Sequence, residues 1–216
     1  MKLEIAVIGL GKFGLYFAST LVDLGYTVTG IDNSQNRVQA ARDKLSQVYK
    51  ADATNKDALE QIGLTEVSHL LISVGDSIAA SSMIAMYTKE MDIAQVWVKA
   101  VSPDHQRLLY KLGVDEVIIP EQMAAIQLAS KVAIPGFLQY ATFDPEVSFQ
   151  ELTISKWAGK SLRQLDLIKK IQVQVIAIKK LDTDTYEYAP DSDYSFQPGD
   201  SIIILRHTDT PERIRA

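Results

Sequence analysis

Residues Ala6-Val7-Ile8-Gly9-Leu10-Gly11-Lys12-Phe13-Gly14 decide how this chain is read. A β-branched run, Leu3–Ile8, leads into G-x-G-x-x-G. Apolar residues then recur at Phe13, Phe17, Leu21 and Leu24 with the spacing of one helix face. Strand, glycine turn and helix in that order suit a phosphate. Gly9 permits the tight turn, Gly11 has no side chain to hold a phosphate off the backbone, and Gly14 lets the helix lie close to the sheet. The helix N-terminus stabilises the anion. The hexapeptide alone is a weak signal. Asp32 strengthens it, because it closes the next predicted strand 18 residues past Gly14. An acid there, with Asn33 beside it, can accept both ribose hydroxyls and would repel a 2′-phosphate.

Working outward, the same texture repeats. Strands are predicted at Leu3–Ile8, Thr27–Ile31, Val48–Lys50, Val67–Ser73, Val96–Lys99 and Glu116–Ile119, with helical spacing between them. That alternation predicts βαβ units and a Rossmann-like, doubly wound parallel sheet of about six strands. Runs such as Leu70-Leu71-Ile72 suit a sheet covered on both faces. After Pro120 the pattern changes. Glu121–Ile134 reads as one helix, stopped by Pro135-Gly136. Beyond it come an alternating strand at Phe149–Ile154, a short helix Leu162–Leu167 capped by Ser161, a strand at Gln172–Ile178, a turn at Gln197–Asp200 and a final strand at Ser201–Leu205. The expected organisation is a nucleotide-binding domain over 1–134 that includes a crossover helix, then a small α+β subdomain over 135–216. The second part is barely large enough for its own core and would gain from pairing with a copy of itself.

Composition narrows the function. The chain has 216 residues, 47% hydrophobic and 23% charged, in the range of ordinary globular proteins. Its net charge of −5 argues against a general affinity for nucleic acid. With no cysteine there is no disulfide, thiolate metal site or cysteine nucleophile. No apolar run is long enough to span a bilayer, and no targeting segment is expected before the fold. Work at a membrane would go through a partner.

Further site candidates lie where the predicted strands end. Lys12 sits at the mouth of the phosphate loop, where a cation could hold a terminal phosphate or a shared pyrophosphate; the plain alternative is a solvated lysine. Asp52-Ala53-Thr54 follows the third strand, where an adenine would pass, with Thr54 or Asn55 suited to cap the next helix. Val74-Gly75-Asp76-Ser77 follows the fourth, and Asp76 or Ser77 could serve only as a cap. Lys99 ends the fifth. His69, His105 and His207 have no partner at a recognisable spacing, and no H-E-x-x-H, G-x-S-x-G or Walker motif occurs. A small NAD-linked oxidoreductase would need a proton-transfer group that is not evident. The nucleotide therefore reads as a signal to be sensed, with the oxidoreductase as the competing class.

At this point the chain resembles the KtrA/TrkA family of potassium-uptake regulators, built from domains that regulate conductance of potassium (RCK). The resemblance rests on Ala6–Gly14, Ala51-Asp52-Ala53-Thr54, Trp97-Val98-Lys99-Ala100, Leu112-Gly113-Val114-Asp115 with Pro120-Glu121, Gly159-Lys160-Ser161-Leu162 and Pro198–Ile203. The last two are similar to the RCK C-terminal (TrkA-C-like) subdomain. Where the family has arginine, this chain has Lys12, a point charge without the planar fork. The resemblance implies a cytosolic regulatory subunit at the inner face of the membrane. It implies a homodimer that exchanges the helix at Glu121–Ile134, an octameric ring, and a dimeric potassium-translocating membrane subunit. It implies ATP/ADP as ligand, or NAD/NADH as in the TrkA branch. Glu121 would help hold Mg²⁺ or another hard cation at the phosphates. Cyclic di-AMP is a further implied ligand, near Ile176, Ile178 and Lys169-Lys170, against a plain reading of core strand and solvated basic pair.

Overall fold

The chain is seen in a computed structural model that describes residues 3–75, 77–141 and 144–207. By internal contacts it divides into Met1–Pro120 and Glu121–Ala216.

In the first unit strands and α-helices alternate, with one 3-10 turn at Leu64–Glu66 added after the third helix. They are β1 (Glu4–Ile8), α1 (Lys12–Asp23), β2 (Thr27–Asp32), α2 (Gln35–Ala41), β3 (Gln47–Lys50), α3 (Lys56–Ile62), β4 (His69–Ile72), α4 (Ile78–Glu90), β5 (Gln95–Lys99), α5 (Pro103–Lys111) and β6 (Glu116–Ile118). The six strands form one sheet in the order β3-β2-β1-β4-β5-β6, every pairing parallel. The order reverses between β1 and β4, the crevice where such sheets hold ligands. Side chains alternate across β1. Ala6 and Ile8 join Leu59, Ile84 and Leu109 on one face, while Ile5 and Val7 join Ala18 and Val28 on the other. Each fully buried leucine or isoleucine contributes roughly 1.5–3 kcal/mol, so this two-faced burial holds the crevice rigid. On the α1 face Phe13 stacks on Phe17 at 6.4 Å, Phe17 meets Trp97 at 6.5 Å, and Trp97 meets His69 edge-on at 6.3 Å between ring centroids.

The second unit opens with most of α6 (Pro120–Ala133), followed by β7 (Phe137–Ala141), β8 (Asp144–Thr153), α7 (Leu162–Leu165), α8 (Leu167–Ile171), β9 (Val173–Lys179), β10 (Glu187–Tyr188) and β11 (Ser201–His207). Five strands pair antiparallel in the order β10-β9-β11-β8-β7. Their core is Ile154, Leu165, Leu167, Val173, Val175, Ile178, Phe196, Ile202 and Ile204, with Trp157 packed against it. Gly136 is required by geometry. Its φ is +73° and an added Cβ would lie 1.9 Å from the Glu151 carbonyl oxygen. From sequence the boundary falls after α6, between 134 and 135; by internal contacts it falls behind the first residue of the helix, Pro120.

Several local expectations need correction. The single helix expected over Leu162–Leu167 is two short ones. Ser161 and Gln164 close a capping box, but Asp166 turns left-handed at φ 47° and restarts the chain as α8. The strands Phe137–Ala141 and Glu187–Tyr188 were not expected, and β8 starts earlier than the alternation at Phe149 suggested. His207 is the last residue of β11 rather than a residue beyond it. All three histidines have partners. His69 Nδ1 lies 3.0 Å from the Ser68 hydroxyl, His105 Nε2 lies 3.0 Å from the Ser81 hydroxyl, and His207 faces Glu146 at 3.2 Å.

Candidate functional site

A cavity of about 240 Å³ opens at the carboxyl ends of β1, β2, β3 and β4. Gly9, Asp32, Asn33, Asp52, Ala53, Val74 and Gly75 all line it, so seven residues singled out from sequence meet in one place.

The glycine loop has the geometry that phosphate binding needs. Gly9 sits at φ +94°, its N–H donates to the Ile31 carbonyl at 2.8 Å, and an added Cβ would lie 2.2 Å from the Ser73 oxygen. An added Cβ on Gly14 would lie 2.0 Å from the Gly9 oxygen, which is how closely α1 approaches the turn. Gly11 differs: a Cβ there would meet nothing within 4 Å. Steric demand of the fold does not require glycine at 11, whereas a bound phosphate would. Gly11 is also the N-cap of α1 and brings no side-chain hydrogen bond. The first amides of α1 therefore have no capping side chain and suit an anion.

Asp32 is buried, at 4% exposure. Its Oδ1 accepts the Ser34 N–H at 2.8 Å and its Oδ2 the Leu10 N–H at 2.7 Å, which ties the acid to the glycine loop itself. Asp52 accepts the Thr54 hydroxyl at 2.7 Å and the Thr54 N–H at 2.9 Å, and these bonds lower its pKa below the ordinary carboxylate value. The helix after it is capped by Asn55, which accepts from Asp57 and Ala58, so Asp52 is not the cap. Ser77 caps α4 by accepting the Ala80 N–H at 3.2 Å; Asp76 lies outside the described residues.

Other candidates stand apart from this cavity. Phe13 packs against the core with its ring on Phe17. Lys12 lines a separate surface depression with Tyr16 and Asp43. Lys99 ends β5, half-buried, and does not line the cavity. Glu121 is an exposed acid in the first turn of α6. Ile178, at 1% exposure, belongs to the second core, so the core reading holds for it; Lys169 lines a cavity of about 550 Å³ beside α8.

One residue of the cavity lining, Arg37, was missed from sequence, and one histidine set aside there, His105, has a supporting place. Arg37 lines the cavity with Nη1 3.5 Å from Asp32 Oδ2. Its signal was a basic residue five positions after the acid, on the helix that the turn opens. His105, 2% exposed, supports the rim: Nδ1 accepts the Val101 N–H at 3.3 Å, so Nε2 carries the proton toward Ser81. Ser81 donates back to the Ser77 carbonyl at 2.9 Å, steadying the first turn of α4. Burial pushes the His105 pKa down.

Fold order, glycine loop and the buried acid at the end of β2 together define a Rossmann-like module of the nucleotide-binding class. Comparison with known proteins narrows that class. The TrkA-N domain family matches residues 5–120. The Ktr system potassium uptake protein A of Vibrio alginolyticus is 32% identical over 203 residues, 94% of this chain and 91% of that one. The solved structure described as the GsuK channel bound to NAD superposes with a TM-score of 0.55 at 18% identity, over 96% of this chain and 37% of that one. The crystal structure of GsuK bound to ADP gives 0.53 at 21%, over 60% and 33%. The chain belongs to the TrkA-N domain family, among the Ktr and TrkA potassium uptake proteins. That family is one of regulatory subunits, which decides against the oxidoreductase reading.

Proposed function

We propose that this chain is a nucleotide-sensing regulatory subunit of a potassium uptake system. The observation that carries the reading is the cavity shared by Gly9, Asp32 and Asp52 beside an α1 N-terminus with no capping side chain. In this reading the phosphates lie on the amides of residues 11–14, Asp32 and Asn33 hold the ribose, and Asp52 and Ala53 meet the adenine. Val74 and Gly75 close the far side, and Lys12 and Lys99 add positive charge. The ligand is ATP or ADP, with NAD or NADH as the other candidate. NAD and ADP are the ligands named for the two GsuK structures, and the preference for the mononucleotides is the one that the resemblance to the KtrA branch implies. The open space before Gly11 fits a phosphate. Among the described residues no group of three or more His, Asp or Glu could hold a metal ion. The family resemblance adds a Mg²⁺ or other hard cation at the phosphates, which Glu121 would help to hold.

We take 1–134 as the nucleotide-binding domain with its crossover helix and 135–216 as the C-terminal subdomain. Helix α6 supports a homodimer by exchange: Met123, Ile126, Leu128 and Val132 are all exposed, Leu128 at 64% and Val132 at 89%. Apolar side chains in such number on one helix call for a partner surface. The dimers build an octameric ring beneath a dimeric membrane subunit that translocates potassium, which locates the chain at the inner face of the membrane. Among the described residues no helix is long and apolar enough to cross a membrane itself. The ring shifts only if the nucleotide binds one of its conformations more tightly than the other.

The test is calorimetric titration of the purified chain with ATP, ADP, NADH and NADPH. Micromolar binding of an adenine nucleotide, weakened at least tenfold by Asp32→Ala, is the expected result; no binding tighter than millimolar overturns the reading.

A further inference from the structure

We propose that Arg37 is a specificity-determining residue of the nucleotide site, and that it admits a nucleotide whose adenosine ribose bears a 2′-phosphate. The inference rests on the nucleotide-binding reading above and adds a ligand class that Asp32, read alone, excludes.

The geometry of Asp32 carries the proposal. Two backbone amides hold the carboxylate, one on each oxygen, from Ser34 and Leu10. The Arg37 guanidinium faces the Leu10-bound oxygen, at 3.5 Å. The pair is lopsided: the Asp32 side chain is 2% exposed and the Arg37 side chain 55%. The acid is locked in place while the cation stands at the cavity wall with most of its fork turned outward. Each carboxylate oxygen can accept about two hydrogen bonds. Arg37 therefore occupies the place on Oδ2 that a ribose hydroxyl would otherwise use.

Two consequences follow from electrostatics. An unpaired, buried carboxylate would repel a phosphate on the ribose strongly, since charges in a partly desolvated cleft are screened much less than in water. A guanidinium at the same point cancels that charge and offers further N–H donors in the planar arrangement that matches phosphate oxygens. With a plain ribose, Arg37 moves off or shares Oδ2. With a 2′-phosphorylated ribose it turns from Asp32 to the phosphate, and the two backbone amides still satisfy the acid. Asp52, the other acid lining the cavity among the described residues, is turned onto Thr54. It leaves Arg37 as the charge that decides this corner.

The experiment compares NADH, NADPH and ADP by calorimetric titration of the wild-type chain, Arg37→Ala and Arg37→Lys. The wild type is expected to bind NADPH within about tenfold of NADH, and Arg37→Ala to widen that gap a further tenfold or more, the scale of one lost charge-assisted bond. Arg37→Lys should fall between them, keeping the charge and losing the fork. ADP, with no 2′-phosphate, should shift in both variants by less than NADPH does, because only its ribose and not a phosphate meets Arg37. An NADPH-to-NADH ratio that Arg37→Ala leaves unchanged, or a wild type that rejects NADPH by more than a hundredfold, overturns the role of Arg37 while leaving the nucleotide site standing. If neither NADH nor ADP binds the wild type, the nucleotide reading itself fails and this inference falls with it.

Discussion

Asp32 and Asp200 are both buried aspartates at strand ends, one in each half of the molecule, and each accepts two backbone N–H groups. Asp200 takes those of Gln197 at 2.8 Å and Leu181 at 3.2 Å, Asp32 those of Leu10 and Ser34. They part at the third partner. The Tyr194 hydroxyl donates to Asp200 at 2.9 Å from a ring packed on Phe196, and burial with that bond pushes the Tyr194 pKa up to about 12. Asp32 has instead the exposed Arg37 at 3.5 Å and a cavity in front of it. The same local device closes a turn in one half and leaves an acceptor facing a cavity in the other. A buried carboxylate is explained by what its remaining lone pairs face.

That contrast can be broken in graded ways. The largest effect is expected from Gly9→Ala, where the new Cβ would strike backbone rather than a movable side chain. It should lower stability by roughly 4 kcal/mol, read by chemical denaturation. Gly11→Ala should leave stability within about 0.5 kcal/mol and weaken nucleotide binding; equal loss of stability in both would remove the distinction between fold glycine and ligand glycine. Next comes Asp200→Ala, which strands two amides and a phenol and should cost about 3 kcal/mol without touching nucleotide affinity. Asp32→Ala should do the reverse, with a stability loss of about 1–2 kcal/mol and a clear loss of ribose-containing ligands. If Asp200→Ala weakened nucleotide binding as strongly as Asp32→Ala, the comparison would fail.

The smallest effect is a pH slope. His105 has a folded pKa below its unfolded value of 6.5, because burial disfavours its charged form. The unfolded chain then binds the extra proton first. The contribution of His105 is whole above pH 6.5 and is lost as pH falls from there toward the lowered folded value. Denaturation midpoints measured across that window should slope downward with acid in the wild type and flatten in His105→Gln. The same slope in both would mean that the imidazole is not what titrates.

The legibility of the two halves differed for physical reasons. Six parallel strands buried on both faces announce themselves as β-branched runs, and the glycine loop marks where the crevice lies. Asp32, Asp52 and Gly75 could therefore be assigned to one site from strand ends alone, and they line one cavity. In the second unit the elements that escaped notice are short or lack a signal. β10 has two residues, too few for any period to show, and the break at Asp166 needs a left-handed aspartate that no pattern signals. Arg37 and His105 were left unassigned for another reason. Arg37 stands five positions after Asp32, a spacing too common to mark a site by itself, and His105 meets Ser81 only through folding, which spacing along the chain does not carry.

The two tryptophans have a practical consequence. Trp97 lies in the first sheet among Phe17 and His69, and Trp157 lies against the core of the second. Each half therefore carries one tryptophan and no more, which excitation beyond the tyrosine band selects. With Trp157→Phe the emission comes from the half with the crevice, and with Trp97→Phe from the other. A fluorimeter could then follow melting and titration of each half on its own optical channel, with no dye attached.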